Sequence, residues 1–183
     1  MAFSDQRLHD AAGGDPEAIS GFIDFYWPRI HRTTSLITGA GPDAEDVAQD
    51  AVLRAVAALA DLDLSSSIEP WIDRVSANAA RDWLRKRSRR SEILVEEPPA
   101  GEADTAWAAR VEGGVLSEAL LAALRALSDE QRTVIVLRHL LDMRATEVAS
   151  HLGIAEGTVR SLDHRGLNQL RRQLNLEEVA DAR

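Results

Sequence analysis

Thr146-Glu-Val-Ala-Ser-His-Leu-Gly-Ile-Ala-Glu-Gly-Thr-Val-Arg160 is the stretch that decides how this chain folds. Ala149 is small enough to let two helices cross closely. Gly153 stands where a tight turn demands a positive φ angle. Ile154 and Val159 supply apolar anchors that pack a second helix onto the first. Together they predict a helix-turn-helix over Ala145 to Leu174, whose second helix leads into the DNA major groove with its N-terminal residues. Glu156, Thr158, Arg160, Ser161, His164 and Arg165 point outward on that helix. Arg160 and Arg165 can hold phosphates or bond guanine edges. A helical hairpin in an ordinary bundle accounts for any one of these features but poorly for all of them together. Asp163 is the discordant residue, an acid expected to repel phosphate unless His164 or Arg165 offsets it.

Upstream, Leu120, Leu121, Leu124 and Leu127 line one helix face. Ser128-Asp-Glu-Gln131 reads as a capping box, in which hydroxyl and amide each serve the other's backbone donor. The helix it opens carries Val134, Ile135, Leu137 and Leu141. Before this domain lies Glu96-Glu-Pro-Pro-Ala-Gly-Glu-Ala-Asp104, where adjacent prolines, a glycine and acids sustain neither helix nor core. Trp107, beyond it but still within the linker, reads as marking a short docking segment. The expected architecture is all-α: a helical domain over 1–91, an acidic linker containing Pro and Gly over 92–114, and a helix-turn-helix domain over 115–183. No strand alternation is visible.

In the first domain, Asp15-Pro-Glu opens a helix with an N-cap acid and proline at the first position. It runs toward Gly39, with a kink expected at Pro28. Asp43 caps a second helix, in which Val47, Ala51, Val52, Ala55, Val56 and Leu59 form a buried stripe. A loop, Asp61 to Ser67, leads to a third helix that starts near Pro70 and buries Ile72, Val75, Ala79 and Trp83.

Composition agrees with helices: Ala, Leu, Val and Ile dominate, and aromatics are 4% of the 183 residues. The absence of cysteine excludes a disulfide scaffold, a thiol switch and a Cys-ligated zinc site. The polar start carries no signal peptide, and no apolar run approaches the roughly 20 residues of a membrane helix. A soluble, cytoplasmic protein without membrane insertion is expected. The net charge of −9 argues against nucleic acid only if charge is averaged. Met1 to Leu64 is acidic, Ser65 to Arg90 basic, Ser91 to Glu118 acidic again, and Ala119 to Leu176 mildly basic.

The first basic zone holds a patterned face. Arg74, Asn78, Arg81, Asp82 and Arg85 share one side of the third helix at spacings of three, four and seven. A solvated face explains that spacing equally well. The cations from Arg85 to Arg90, however, repel one another unless a polyanion neutralises them. Trp71 and Trp83 either stack on unpaired bases or, as the plainer reading has it, belong to the core. On the second helix Asp46, Gln49, Asp50 and Leu53 form an outward stripe bordered by Arg54. A leucine amid polar groups suits a partner helix better than water. His9, His31, His139, His151 and His164 show no metal-ligand spacing, and no phosphate loop or activated nucleophile is visible. No metal, cofactor or catalytic residue is expected, and the chain is not read as an enzyme.

In this order the pieces resemble the extracytoplasmic-function sigma factors, small members of the bacterial sigma-70 family. Pro42-Asp-Ala-Glu-Asp-Val-Ala-Gln-Asp50 looks like the family's polymerase-docking helix. Trp71 to Arg85 is similar to its −10-reading helix. Leu127 to Arg138, followed by Gly157-Thr-Val-Arg-Ser161, looks like its −35-reading domain. The resemblance implies that Asp46, Gln49, Asp50, Leu53 and Arg54 dock on core RNA polymerase, at the clamp helices of the largest subunit. It further implies that the second domain meets the flap of the second-largest subunit. Arg74, Asn78, Arg81, Asp82 and Arg85 would serve the opened −10 strand, with Asn78, Asp82 and the Asp61 to Glu69 loop holding an unstacked base. Glu156, Thr158, Arg160, Ser161, His164 and Arg165 would read promoter duplex at −35. The acidic linker would thread the polymerase's basic channels, and an anti-sigma factor is a further partner the family allows.

The chain departs from the family pattern at the loop before Pro70, at Arg144 in place of a capping hydroxyl, at Leu162 and Asp163, and at Gly166. Two other classes stay open on sequence alone. A one-component repressor or activator would use the helix-turn-helix without polymerase. A sigma-like decoy, suggested by Asp163, would sequester a regulator.

Overall fold

The computed structural model describes residues 3–39, 43–94 and 117–174, with side chains through Arg89 in the second stretch. They form two compact units, one within Met1–Asp104 and the other within Thr105–Arg183. All regular structure among the described residues is helical. Most of the expected linker, including Trp107, lies outside them; its first residues continue the helix that ends at Leu94.

Among the described residues the first unit has four α-helices. α1 (Asp5–Ala12) is not predicted by its polar sequence; Ser4 caps it, and Phe3, Leu8 and Ala11 fix it in the core. Phe3 meets Phe22 edge-on, ring centres 6.1 Å apart. α2 (Pro16–Thr38) starts as expected, with Asp15 Oδ1 accepting from the Ala18 N–H at 2.8 Å. It remains one helix on both sides of Pro28 and ends at Gly39. α3 (Asp43–Ala58) buries Val47, Ala51, Val52 and Ala55, with Leu59 following in a single 3-10 turn. Val56 is only half-buried, and Ala44 and Ala48 take up the inner face instead. α4 (Glu69–Leu94) buries Ile72 and Ala79, but Val75 and Trp83 lie at the margin of its packed face and stay half-exposed. Asp73, Ser76, Ala77 and Ala80 are buried in their stead.

A charged knot joins α2 to the start of α4. Arg29 grips Asp73 with two parallel bonds, Nε to Oδ1 and Nη2 to Oδ2, each 2.7 Å. Such forked geometry is the strong form of a charge-assisted bond. One turn away, the Tyr26 hydroxyl donates to Glu69, which also accepts from the Ser67 hydroxyl. The Ser67 bond, foremost, holds the Glu69 carboxyl below its usual range, and its own backbone N–H and Arg29 act in the same direction. Tyr26 is 3% exposed. Burial, then the negative charge of Glu69, pushes its phenol from 10.0 up to about 12. The neutral phenol is therefore the form the fold favours. Its contribution is complete below pH 10.0 and is lost as pH rises through about 12.

In the second unit, Ser117 caps α5 (Glu118–Arg125), which buries Leu121 and Leu124. The Ser128–Gln131 capping box forms as expected, with bonds of 3.2 and 3.1 Å, and opens α6 (Asp129–Ile135). Val136–Leu140 continues α6 as a π turn, marked by the Leu141 N–H bonding to the Val136 carbonyl at 3.1 Å. α7 (Ala145–Leu152) follows Arg144, whose guanidinium has no acceptor to cap with. Glu147 compensates by accepting from the Arg144 backbone N–H at 2.7 Å, half of a capping box. Gly153 turns the chain at φ 66°, and α8 (Glu156–Gln173) packs on α6 and α7.

Gly166 explains one departure from the family pattern. A Cβ there would lie 3.0 Å from Ile135 Cγ1 and 3.2 Å from Cδ1, so the glycine lets α8 close on α6.

Two outcomes follow from these contacts. Tyr26 is the one tyrosine in the chain, so phenolate absorbance reports it alone. In the folded protein it should titrate toward about 12 rather than 10.0, and return to the ordinary value in denaturant. An ordinary midpoint in the folded chain would refute the buried bond. Gly166→Val should overpack the α6–α8 contact and cost about 1–3 kcal/mol, read as a lower unfolding midpoint in urea.

Candidate nucleic-acid and partner interfaces

The cationic face of α4 forms much as its spacing predicts. Arg74, Asn78 and Arg85 are exposed, and Arg81 and Asp82 half-buried. Trp71 and Trp83 are half-buried, and the Arg87 guanidinium lies 4.9 Å from the centre of the Trp83 ring. Trp83 is thus neither core nor free. The loop preceding α4 is anchored by Ile68, 4% exposed, and shaped by the Ser65 N–H bonding to Asp63 Oδ1 at 2.9 Å. That bond holds the Asp63 carboxyl below its usual range.

On α3, Asp46, Gln49, Asp50 and Leu53 share one exposed face, with Leu53 69% exposed. Arg54 leans from this stripe toward α4. Its Nη2 lies 2.7 Å from Asp50 Oδ2 and its Nη1 2.8 Å from Asp82 Oδ2. The Asp82 bond, above all, raises the guanidinium's affinity for its proton; burial opposes it and Asp50 adds to it. Between the helices runs an open groove of about 220 Å³ lined by Asp46, Asp50, Arg54, Asp82, Trp83 and Lys86. Spacing along one helix does not reveal that the α3 stripe and the α4 face share an ion pair.

α8 divides its circumference cleanly. Val159, Gly166 and Leu170 are buried. Thr158, Arg160, Ser161, His164 and Arg165 are exposed, while Glu156 is half-buried and pairs with Arg160 at 2.5 Å. Asp163 departs from expectation. Residues 159, 163, 166 and 170 follow the i, i+4, i+7, i+11 course of the inner stripe, so Asp163 turns toward α6 rather than toward a ligand. Its side chain is 16% exposed. His139 Nε2 stands 2.7 Å from Oδ1, and Arg138 Nε 3.7 Å from Oδ2. Both partners come from the π turn. The acid is a packing residue paired from behind, and it does not lie among the exposed side chains of α8. A double-mutant cycle of His139→Ala and Asp163→Ala, read by urea unfolding, should show coupling of about 0.5–1 kcal/mol; zero coupling would place the acid in water.

Comparison with known proteins matches this geometry at both ends. The family described as Sigma-70 region 2 matches residues 22–90, and that described as Sigma-70, region 4 matches residues 117–170. The ECF RNA polymerase sigma factor SigW of Bacillus subtilis is 30% identical over 180 residues, which take in 92% of this chain and 95% of SigW. The RNA polymerase sigma-E factor of Streptomyces coelicolor is 32% identical over 141 residues, 77% of this chain and 76% of that protein. Among solved structures, CnrH in complex with the cytosolic domain of CnrY aligns with a TM-score of 0.57 at 24% identity, over 94% of this chain and 97% of CnrH. The sigma factor RpoE of Bartonella quintana, in complex with the anti-sigma factor NepR, aligns with a TM-score of 0.61 at 23% identity, over 85% and 96%. These two likenesses speak to the fold. Region 2 and region 4 stand here in order on two helical units, and the chain belongs to the extracytoplasmic-function sigma factors, promoter-directing subunits of RNA polymerase in the sigma-70 family.

Proposed function

We propose that residues 1–91 dock on core polymerase and hold the opened −10 strand, that 92–114 connect the units, and that 115–183 read the −35 duplex. The observation that carries this division is the segregation of faces. The acidic stripe with exposed Leu53 lies on α3, the arginines lie on α4, and the exposed polar row lies on α8.

In this reading Asp46, Gln49, Asp50, Leu53 and Arg54 meet the clamp helices of the largest polymerase subunit, and the second unit meets the flap of the second-largest. Covering a leucine side chain is worth about 1.5–3 kcal/mol, so Leu53 is the apolar anchor among charges that set orientation. Arg74, Arg81 and Arg85 follow the backbone of the opened strand, while Asn78 and Asp82, with the loop before α4, receive an extruded base. Extrusion costs a few kcal/mol, which the loop pocket and stacking must offset. Thr158, Arg160, Ser161, His164 and Arg165, with Glu156 holding Arg160, read duplex at −35. The chain acts in the cytoplasm and carries no catalysis of its own. An anti-sigma factor is a further partner in this reading, as one is for the Bartonella quintana protein.

In vitro transcription with purified core polymerase and fragments of the source genome tests the proposal. Defined start sites that depend on this chain are expected. Leu53→Asp should lower affinity for core polymerase about tenfold or more, in keeping with the loss of one buried leucine. Arg160→Ala should weaken initiation without changing that affinity. Tight duplex binding with no initiation would instead identify a repressor.

A further inference from the structure

We propose that Arg54 is a positioning residue that neutralises Asp82, and thereby lets α4 accept the opened strand when polymerase covers α3. The inference rests on the docking and −10 reading above and concerns how the two sites are joined.

Asp82 occupies an awkward place. On α4 it lies about 80° round the axis from Arg74, one turn beyond Asn78, on the border between the arginine face and the groove toward α3. A bare carboxylate there would repel the phosphates that Arg74, Arg81 and Arg85 attract. Arg54 removes that charge from the opposite helix, Nη1 to Oδ2 at 2.8 Å. The same guanidinium gives its other nitrogen to Asp50, a member of the docking stripe, at 2.7 Å. Asp46 is the further acid and Lys86 the further cation lining the groove.

The exposure of the groups matters. The side chains of Arg54, Asp50 and Asp82 are 38%, 51% and 46% exposed. Pairs so wetted are worth at most about 1 kcal/mol in the free chain, too little to lock either helix. A partner laid over Asp46, Asp50 and Leu53 changes that balance in two ways. It strips water from the groove, which strengthens the remaining pairs. Any cation it offers to Asp50 also leaves more of the shared guanidinium to Asp82. Docking on α3 and charge balance on α4 are thereby coupled through one side chain.

The test uses holoenzyme at saturating core polymerase on a promoter fragment where the wild-type chain initiates. Strand opening is read by permanganate reactivity of unpaired thymines, and polymerase affinity is measured separately. Arg54→Gln should reduce opening about fivefold, the fold-change of a pair at the top of the exposed range. Arg54→Gln with Asp82→Asn should open promoter better than Arg54→Gln alone, since the amide keeps an acceptor for the base but carries no charge. Arg54→Lys, which keeps the charge, should open promoter better than Arg54→Gln. No loss in Arg54→Gln, no recovery in the double variant, or a lysine variant as defective as glutamine would each overturn the proposal. Circular dichroism melts identify any variant that fails to fold, and the lysine variant then carries the test. If Arg54→Gln and Leu53→Asp both bind polymerase as the wild type does, the docking reading falls, whereas the recovery experiment judges the Arg54–Asp82 link by itself.

Discussion

Small side chains on helices packed against one another govern the rest of this molecule. Ala48, Ala51 and Ala55 on α3, and Ala77, Ala79 and Ala80 on α4, have almost no contact with solvent. Gly166 does the same work between α8 and α6. Narrow packed faces leave most of each helix's circumference outside the core. α3, α4 and α8 can each therefore carry a row of exposed side chains while still being fixed by their neighbours. A core of large aromatics would need a wider buried stripe and leave less of each helix to display. The aromatic cluster of Phe3, Phe22, Phe25 and Tyr26 joins α2 to the residues just ahead of α1.

Polar groups in the packed regions are handled by direct pairing. Asp73 takes both arms of Arg29, Arg132 reaches Asp129 and the Leu127 carbonyl, and Asp163 takes His139 with Arg138 nearby. Leaving Asp73, Arg132 or Asp163 without its partner would strand a charge with little water around it, which costs more than the pair contributes. The pairs thus define orientation more than they add stability. Arg29 with Asp73 sets where α4 begins relative to α2. His139 with Asp163 sets how α8 is rotated against α6.

What the sequence makes legible is what a helix encodes locally. The Asp15 cap, the Ser128–Gln131 box, the positive φ at Gly153 and the α3 stripe each depend on residues within a turn or two of each other. The exposed rows on α3, α4 and α8 follow from the same periodicity. Pairs such as Arg29–Asp73, Arg54–Asp82 and His139–Asp163 join residues 44, 28 and 24 positions apart, and no local pattern announces them. Asp163 is an instructive case because its register with Val159, Gly166 and Leu170 was visible, yet its charge suggested a ligand-facing role. Periodicity outranks residue type there, once a histidine and an arginine from elsewhere balance the acid. The π turn is not legible from helical periodicity, and neither is the positive φ of 51° at Asp142 that comes soon after it.

The turn at Gly153 has a consequence of its own. Its φ is 66°, yet a methyl group built on that carbon would meet nothing within 4 Å. The obstacle to any other residue is therefore handedness and not room. The backbone there asks for the mirror-image stereochemistry that ordinary amino acids lack. A D-alanine introduced at this position by chemical ligation would favour that region of backbone space intrinsically, and would shed the excess freedom glycine carries in the unfolded chain.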